Sequence, residues 1–255
     1  MKTPKSLLVI NFIILVTFLL PTFYLIWRFA TFNRSYASFF TSWNVLDLLI
    51  NTLLLFVFVV FSSLLVGLII SIITVRFNIR GSKILFTLSV LPLVIPSYIG
   101  ALTYVSAFSP KGLFVQIFSS FGIKEISGLD GFLGSWIVLT LFTYPYVVLI
   151  CSSALRNLDS TVEDAARSLG KNKFSVYTQV VIPRLKKPII FSGLLVGLYV
   201  ISDFGAVSLM RYSTVTKAIY SYYEFKIDGD PVIFYSSILI VCLLYTSPSP
   251  RDSDS

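Results

Sequence analysis

Histidine is absent from the 255 residues, and there are two cysteines, Cys151 and Cys242. This excludes a Ser/His/Asp or Cys/His nucleophilic arrangement, a Cys/His metal site and a disulfide framework. No glycine-rich phosphate loop running into Lys-Ser or Lys-Thr occurs, so the chain does not hold ATP by that route. Two sets of polar residues remain. One is a tight charged cluster, Glu163-Asp164-Ala165-Ala166-Arg167; the other is Asp203, the one acid read as lying within an apolar run, with Tyr144, Tyr146 and Tyr199 in similar runs. No catalytic residue and no resident metal ligand is assigned to them. A carboxylate in hydrocarbon is costly and marks either a polar pathway or a paired structural site. Asp203 therefore has two readings: a group on a route through the membrane, or a hydrogen-bonded carboxylate that caps a neighbouring helix. Tyr144 and Tyr146 have the same choice between route and packing.

The elements that position these residues are membrane spans. Apolar residues make up 56% of the chain and charged residues 13%, too greasy for an ordinary soluble domain. They come in long runs rather than at a 3.6-residue period. The runs cover Leu7 to Phe29 with Pro21 as a kink, a stretch within Leu46 to Val75, Ile84 to Phe108 interrupted by Pro92 and Pro96, Gly134 to Leu155, Pro188 to Met210, and a sixth beginning near Pro231. Runs of this length cross lipid as helices, because the backbone must satisfy its own hydrogen bonds. The expected fold is an all-α polytopic membrane bundle of about six transmembrane helices. The net charge of +8 does not imply nucleic acid, because the basic residues sit in short loops between the runs. They are concentrated in the segment holding Arg156, Arg167, Lys171, Lys173, Arg184, Lys186 and Lys187. The positive-inside bias then puts the N-terminus and Lys171 in the cytoplasm and Lys124 on the opposite side.

The segment Arg156 to Pro188 is the most patterned loop. Ser160-Thr161-Val162-Glu163 fits a capping box that starts a helix. Val162, Ala165, Ala166 and Leu169 follow at the spacing of one apolar helix face. Gly170 stands where a helix end takes a left-handed residue. Lys173 to Val181 reads as a second short helix ended by Pro183, and Pro188 suits the first turn of the next span. Taken alone, such a loop reads as an amphipathic segment on the membrane surface.

Asp164-Ala165-Ala166, with Gly170 after three residues and Val180-Val181-Ile182-Pro183 after nine more, resembles the E-A-A loop of bacterial ABC importer permeases. That pattern runs E-A-A, three residues, G, nine residues, I-x-L-P. The chain departs from it by Asp164 for glutamate, Val180 for isoleucine and Ile182 for leucine. The resemblance implies the type I ABC importer permease fold. It also implies an ATPase-coupling loop made by Glu163, Asp164, Ala165, Ala166, Arg167, Gly170, Val180, Ile182 and Pro183, whose short helix docks in a cleft of a cytoplasmic ATPase subunit. Within it, Ala165 and Ala166 would allow close approach, while Glu163, Asp164 and Arg167 would make charged rim contacts. ATP and Mg would sit on that ATPase, with no cofactor on this chain. The other implied partners are a periplasmic substrate-binding protein, a second permease module (fused or separate) and membrane lipid, with no nucleic acid. The implied location is the bacterial inner membrane.

Further stretches resemble the same family. They are Asn51-Thr52-Leu53 through Gly67 to Arg76, and Leu91-Pro92-Leu93-Val94-Ile95-Pro96. Tyr144-Pro145-Tyr146, Ser202-Asp203-Phe204-Gly205 and Arg211-Tyr212 resemble its ferric-iron branch. Ferric iron is the expected cargo. Thiamine, a polyamine, phosphonate or an oxyanion is the alternative, and a secondary transporter or assembly factor is the reading from another class. Residues 1–241 are expected to form the permease domain, truncated in its sixth span. Residues 242–255 are expected to be a non-native tail resembling translated sequencing adapter, and a second permease module is expected to be missing.

Overall fold

The structure is a computed structural model that describes residues 5–31, 45–77, 79–109, 111–119, 130–159, 161–224 and 229–246. Every regular element among these is helical. Helix α1 covers Lys5–Ala30, α2 Val45–Arg76 and α3 Ser82–Val90, which runs into a 3-10 turn, Leu91–Val94. Helix α4 covers Ser97–Phe108, α5 Leu113–Ser119 and α6 Gly131–Asn157. Then come α7, Thr161–Ser168, and α8, Lys173–Val176, which passes through a π turn, Tyr177–Val181, into α9, Ile182–Arg184. The chain ends in α10, Lys186–Ser202, α11, Gly205–Leu209, α12, Val215–Glu224, and α13, Gly229–Thr246.

Among the described residues, the expected apolar runs form helices of different kinds. Three continuous helices are long and apolar enough to cross a membrane: Val9–Arg28 within α1, α2 and α6. The third apolar run forms a bent pair, α3 with α4 at 97°, and α10 of the fifth run forms another with the α8–α9 segment that precedes the run, at 69°, which makes up to five crossings if each pair is one span. The sixth run is in α13, where the described apolar stretch is Pro231–Ile240. Proline explains the first break: Pro92 stands in the 3-10 turn and Pro96 immediately before α4, and neither can donate an intrahelical bond. Pro21 by contrast lies inside a helix that continues past it. The fifth run does not reach Met210 as one helix; α10 stops at Ser202 and the chain is extended at Asp203. Asp47 also falls inside a spanning helix, in the first turn of α2, where the helix dipole favours a carboxylate. Lys124, Ser160 and residues 247–255 lie outside the described residues.

The chain divides into two compact units. One comprises 1–49 and 215–255; its core is Val45, Val215, Phe234 and Tyr235, backed by Leu48, Leu49 and Ile219. The other comprises 50–214 and carries both polar sets. Its core joins Leu55 and Val59 of α2, Val138, Leu139, Phe142, Val147 and Cys151 of α6, and Val196 and Val200 of α10. Lipid is as apolar as leucine, so helices associate here through close packing and hydrogen bonds. Ser62 and Ser63 each share a hydrogen bond of 2.8 Å with Thr140 and Thr143 of α6. A Cβ on Gly67 would lie 2.5 Å from Val147 Cβ and 3.0 Å from the Tyr144 carbonyl oxygen, whereas one on Gly193 would come nearest to the tip of Leu64, at 3.3 Å, with Val60 Cγ1 in ordinary contact at 3.7 Å.

This contrast is testable. Gly67→Ala must push α2 off α6, at a cost of about 1–3 kcal/mol, while Gly193→Ala asks only for a leucine rotamer shift. In detergent, the thermal midpoint of the purified protein is expected to fall clearly for Gly67→Ala and little for Gly193→Ala. Equal midpoints would refute the packing assigned to Gly67.

Candidate functional site: the α7–α9 loop and the helix breaks

Helix α7 is short and is held at both ends by specific bonds. At its start Asp159 Oδ1 accepts from the Thr161 backbone N–H at 2.9 Å. That amide also holds the Asp159 carboxyl below its usual range, as expected for an ion receiving a hydrogen bond. The cap read from the sequence, Ser160, is not described, and Asp159 was not foreseen. At the far end Lys171 N–H donates to Ala166 O at 3.2 Å and Gly170 N–H to Arg167 O at 2.9 Å. With Gly170 at φ +81°, this is the Schellman end anticipated from the sequence. Asn172 Oδ1 then accepts from Ser175 N–H at 2.8 Å and starts α8, a cap of ordinary type that sequence reasoning missed although Asn is a standard signal.

Pro183 does not end the second helix. The chain widens into the π turn, where Ile182 N–H donates to Tyr177 O, and the helix continues to Arg184. A proline inside an α-helix removes one bond and crowds the preceding turn; a π turn absorbs both effects. Val180 is half-buried, and Ile182 and Pro183 are exposed. Val176, Val181 and Leu185 point inward, forming with Leu155 and Ala166 a small core under the loop.

The faces of α7 differ from those expected. Ala166 is buried, but Ala165 is exposed and Leu169 is 84% exposed. Four apolar positions at helical spacing do not make one buried stripe, because an eight-residue helix has room to seat about one turn against the spans. Ala165, Leu169 and Phe174 are all left exposed, as are Asp164 and Arg167. Those two charges are 4.0 Å apart and well exposed, a pair worth little by itself. Glu163 is not on the rim. It is 6% exposed and turned inward, with Oε1 2.9 Å from Arg76 Nη2 at the end of α2. The same Nη2 donates to Leu158 O at 3.1 Å.

The second polar set lies at the helix breaks. Ser97, the first residue of α4, donates to Asp203 Oδ2 at 2.7 Å, and Asp203 Oδ1 accepts from Ala206 N–H at 2.9 Å. One carboxylate thus starts α11 and ties it to α4. The geometry is that of the capping alternative, and both oxygens are engaged. Tyr199 stands beside this knot, its ring 5.9 Å from that of Tyr146. Tyr144 is half-buried and about 200° around the helix from Tyr146, so it is not brought to the knot. Among the described residues, no group of three or more Asp, Glu, Cys or His side chains could hold a metal ion.

Residues 63–247 match the family of binding-protein-dependent transport system inner membrane components. The chain belongs to that family. The Fe(3+)-transport system permease protein FbpB 2 of Haemophilus influenzae is 29% identical over 199 residues, covering 78% of this chain and 36% of that protein. The sulfate transport system permease protein CysT of Salmonella typhimurium is 30% identical over 141 residues, covering 55% and 50%. This family member therefore spans between about a third and a half of the length of these relatives. Among solved structures it resembles a bacterial ABC transporter involved in the import of the acidic polysaccharide alginate, with TM-score 0.74, 15% identity, and coverage of 95% of this chain and 92% of that one. It also resembles the MetNI methionine ABC transporter, with TM-score 0.63, 13% identity, and coverage of 84% and 94%. These likenesses show that the fold is that of ABC importer permeases.

Gly170 offers the cleanest test of the loop. Valine at φ +81° would be strained by about 1–3 kcal/mol, yet a Cβ there meets nothing within 4 Å, so the spans are untouched. Gly170→Val is expected to reach the membrane at normal level, to bind an ATPase subunit more weakly in pull-down, and to lose transport in vesicles. Unchanged uptake would show that the shape of this loop does not matter.

Proposed function

We propose that this chain is the permease subunit of an ATP-driven, binding-protein-dependent importer that moves ferric iron across the bacterial inner membrane. The observation that carries the importer reading is the outward face of α7 and α8. Ala165, Leu169 and Phe174 stand exposed, with Asp164 and Arg167 also exposed, on a loop whose inner side packs into a small apolar core. A small apolar face with a charged edge, held rigid by caps at both ends, suits docking in a cleft of a cytoplasmic ATPase. ATP and Mg belong on that subunit, and hydrolysis with them; this chain is not the enzyme. A periplasmic binding protein delivers the cargo, and a second permease module completes the pore. The binding-protein-bound alginate importer, which this fold resembles with TM-score 0.73 at 15% identity, supports that architecture.

For the cargo, support for iron comes from the match to the Fe(3+) permease and from Tyr144-Pro145-Tyr146 and Asp203-Phe204-Gly205. Asp203 and Tyr146, the polar groups at the breaks, are the candidates for the translocation route; Tyr144 is the weaker one because it lies away from them. An oxyanion is the second reading, favoured by the sulfate permease matches. Deleting the gene is expected to impair growth under iron limitation and to be rescued by excess iron. Rescue by cysteine or excess sulfate instead would move the assignment to the oxyanion.

In the same reading the α7–α9 loop is cytoplasmic. A cysteine placed at 124 should react with an impermeant maleimide from outside the inner membrane, and one placed at 171 should not. The reverse labelling would invert the orientation and remove the loop from the ATPase side.

A further inference from the structure

Arg76 occupies a junction. It is the last residue of α2; Leu158 is the residue that ends α6; Glu163 lies in the first turn of α7. A single guanidinium nitrogen reaches both of the others, at 2.9 Å and 3.1 Å. The two charged side chains are 14% and 7% exposed. Leu155, Ala166, Val176, Val181 and Leu185 form an apolar cluster against which Val75, the chain neighbour of Arg76, and Leu158, its acceptor, are packed. The other charged pair on α7, Asp164 with Arg167, is solvent-exposed and internal to the helix, so it transmits nothing.

The inward face of α7 has little else to grip with. Ala166 is small, Val162 is half-buried, and Ala165 and Leu169 face away. Apolar contacts are also non-directional, so they would let a short helix slide. A charge-assisted bond fixes direction, and a buried pair resists separation because each partner alone would be an unpaired charge away from water. Arg76 thus bonds the end of α2 to the first turn of α7 and to the end of α6, beside the covalent link that already joins α6 to α7.

We propose that the Arg76–Glu163 pair is the strut that delivers movement of the α7 loop to the spans. The two are positioning residues that set how much cargo moves per ATP hydrolysed, not whether the ATPase binds. This rests on the importer reading above.

The test is a double-mutant cycle in the reconstituted permease–ATPase–binding-protein complex. Glu163→Gln, Arg76→Gln and the double variant are compared for membrane level, ATPase pull-down, ATP hydrolysis, and uptake of ferric iron or sulfate, whichever the wild-type complex moves. Each single variant is expected to retain its ATPase and to lose about tenfold in uptake per ATP, the scale of one charge-assisted contact. The double variant leaves no lone buried charge. Its membrane level should equal or exceed that of the singles, while its uptake per ATP stays as low as theirs, because the strut is still missing. Recovery of coupling together with protein level would overturn the proposal, leaving only a structural pair. Unchanged uptake per ATP in Glu163→Gln, or losses that multiply in the double variant, would also overturn it. A wild-type chain that brings down no ATPase would instead sink the importer reading, and the strut with it.

Discussion

A backbone amide or carbonyl without a partner in hydrocarbon costs several kcal/mol, and the design of this chain follows from meeting that demand at the places where helices stop. Along α2, and along α1 and α6 away from Pro21 and Pro145, the demand is met by helix geometry. It becomes specific at the two breaks. After α10 the Asp203 carboxylate supplies a missing partner, taking Ala206 N–H on one oxygen, and its other oxygen takes the Ser97 hydroxyl, which ties the second break to the first. The π turn at Tyr177–Val181 is the same solution outside the long spans: it re-routes the bonding so that a proline can stay inside a helix.

Once the breaks are satisfied, the spans pack by closeness rather than by exclusion of water. Gly67 against Val147, Gly197 against Phe56 and the Ser–Thr pairs between α2 and α6 show how. The small loop core of Leu155, Ala166, Val176, Val181 and Leu185 continues this packing past the ends of the spans. It gives α7 a seat, and it makes the surroundings of Arg76 and Glu163 dry enough for their pair to be rigid. The outer face of α7 is then free to meet another protein without disturbing the inner one. This division of labour between two faces of an eight-residue helix is what lets a docking element also be a lever.

Much of this was legible in the residues. Apolar runs of spanning length mark the spans because lipid accepts helices and little else. Gly170 marks the end of α7 because a left-handed residue is cheapest as glycine, and its φ of +81° follows. The charged, small-residue pattern from Asp164 to Pro183 marks the loop, since that spacing carries the family resemblance. Pro92 and Pro96 mark a disturbance in the third run. How far that disturbance bends the run, 97° between α3 and α4, depends on the neighbours each half finds to pack on, and a list of prolines does not contain those neighbours.

What only the tertiary structure decided is which partner each polar group finds. In sequence Glu163 reads as part of a capping box and as a rim charge; Arg76, 87 residues earlier in the chain, makes it instead a buried partner. Asp203 has two readings in sequence, and Ser97, on another span, gives it a capping geometry. Ala165 and Ala166 are identical letters, yet one faces out and the other in, because the loop core has room for one of them. Local propensity acts over a turn or two of helix, so the sequence by itself marked the apolar runs and some helix ends, such as Gly170, but not the stop at Ser202 or the passage through Pro183. Burial, pairing and facing are set by residues far away in the chain, and these became definite only when the spans came together.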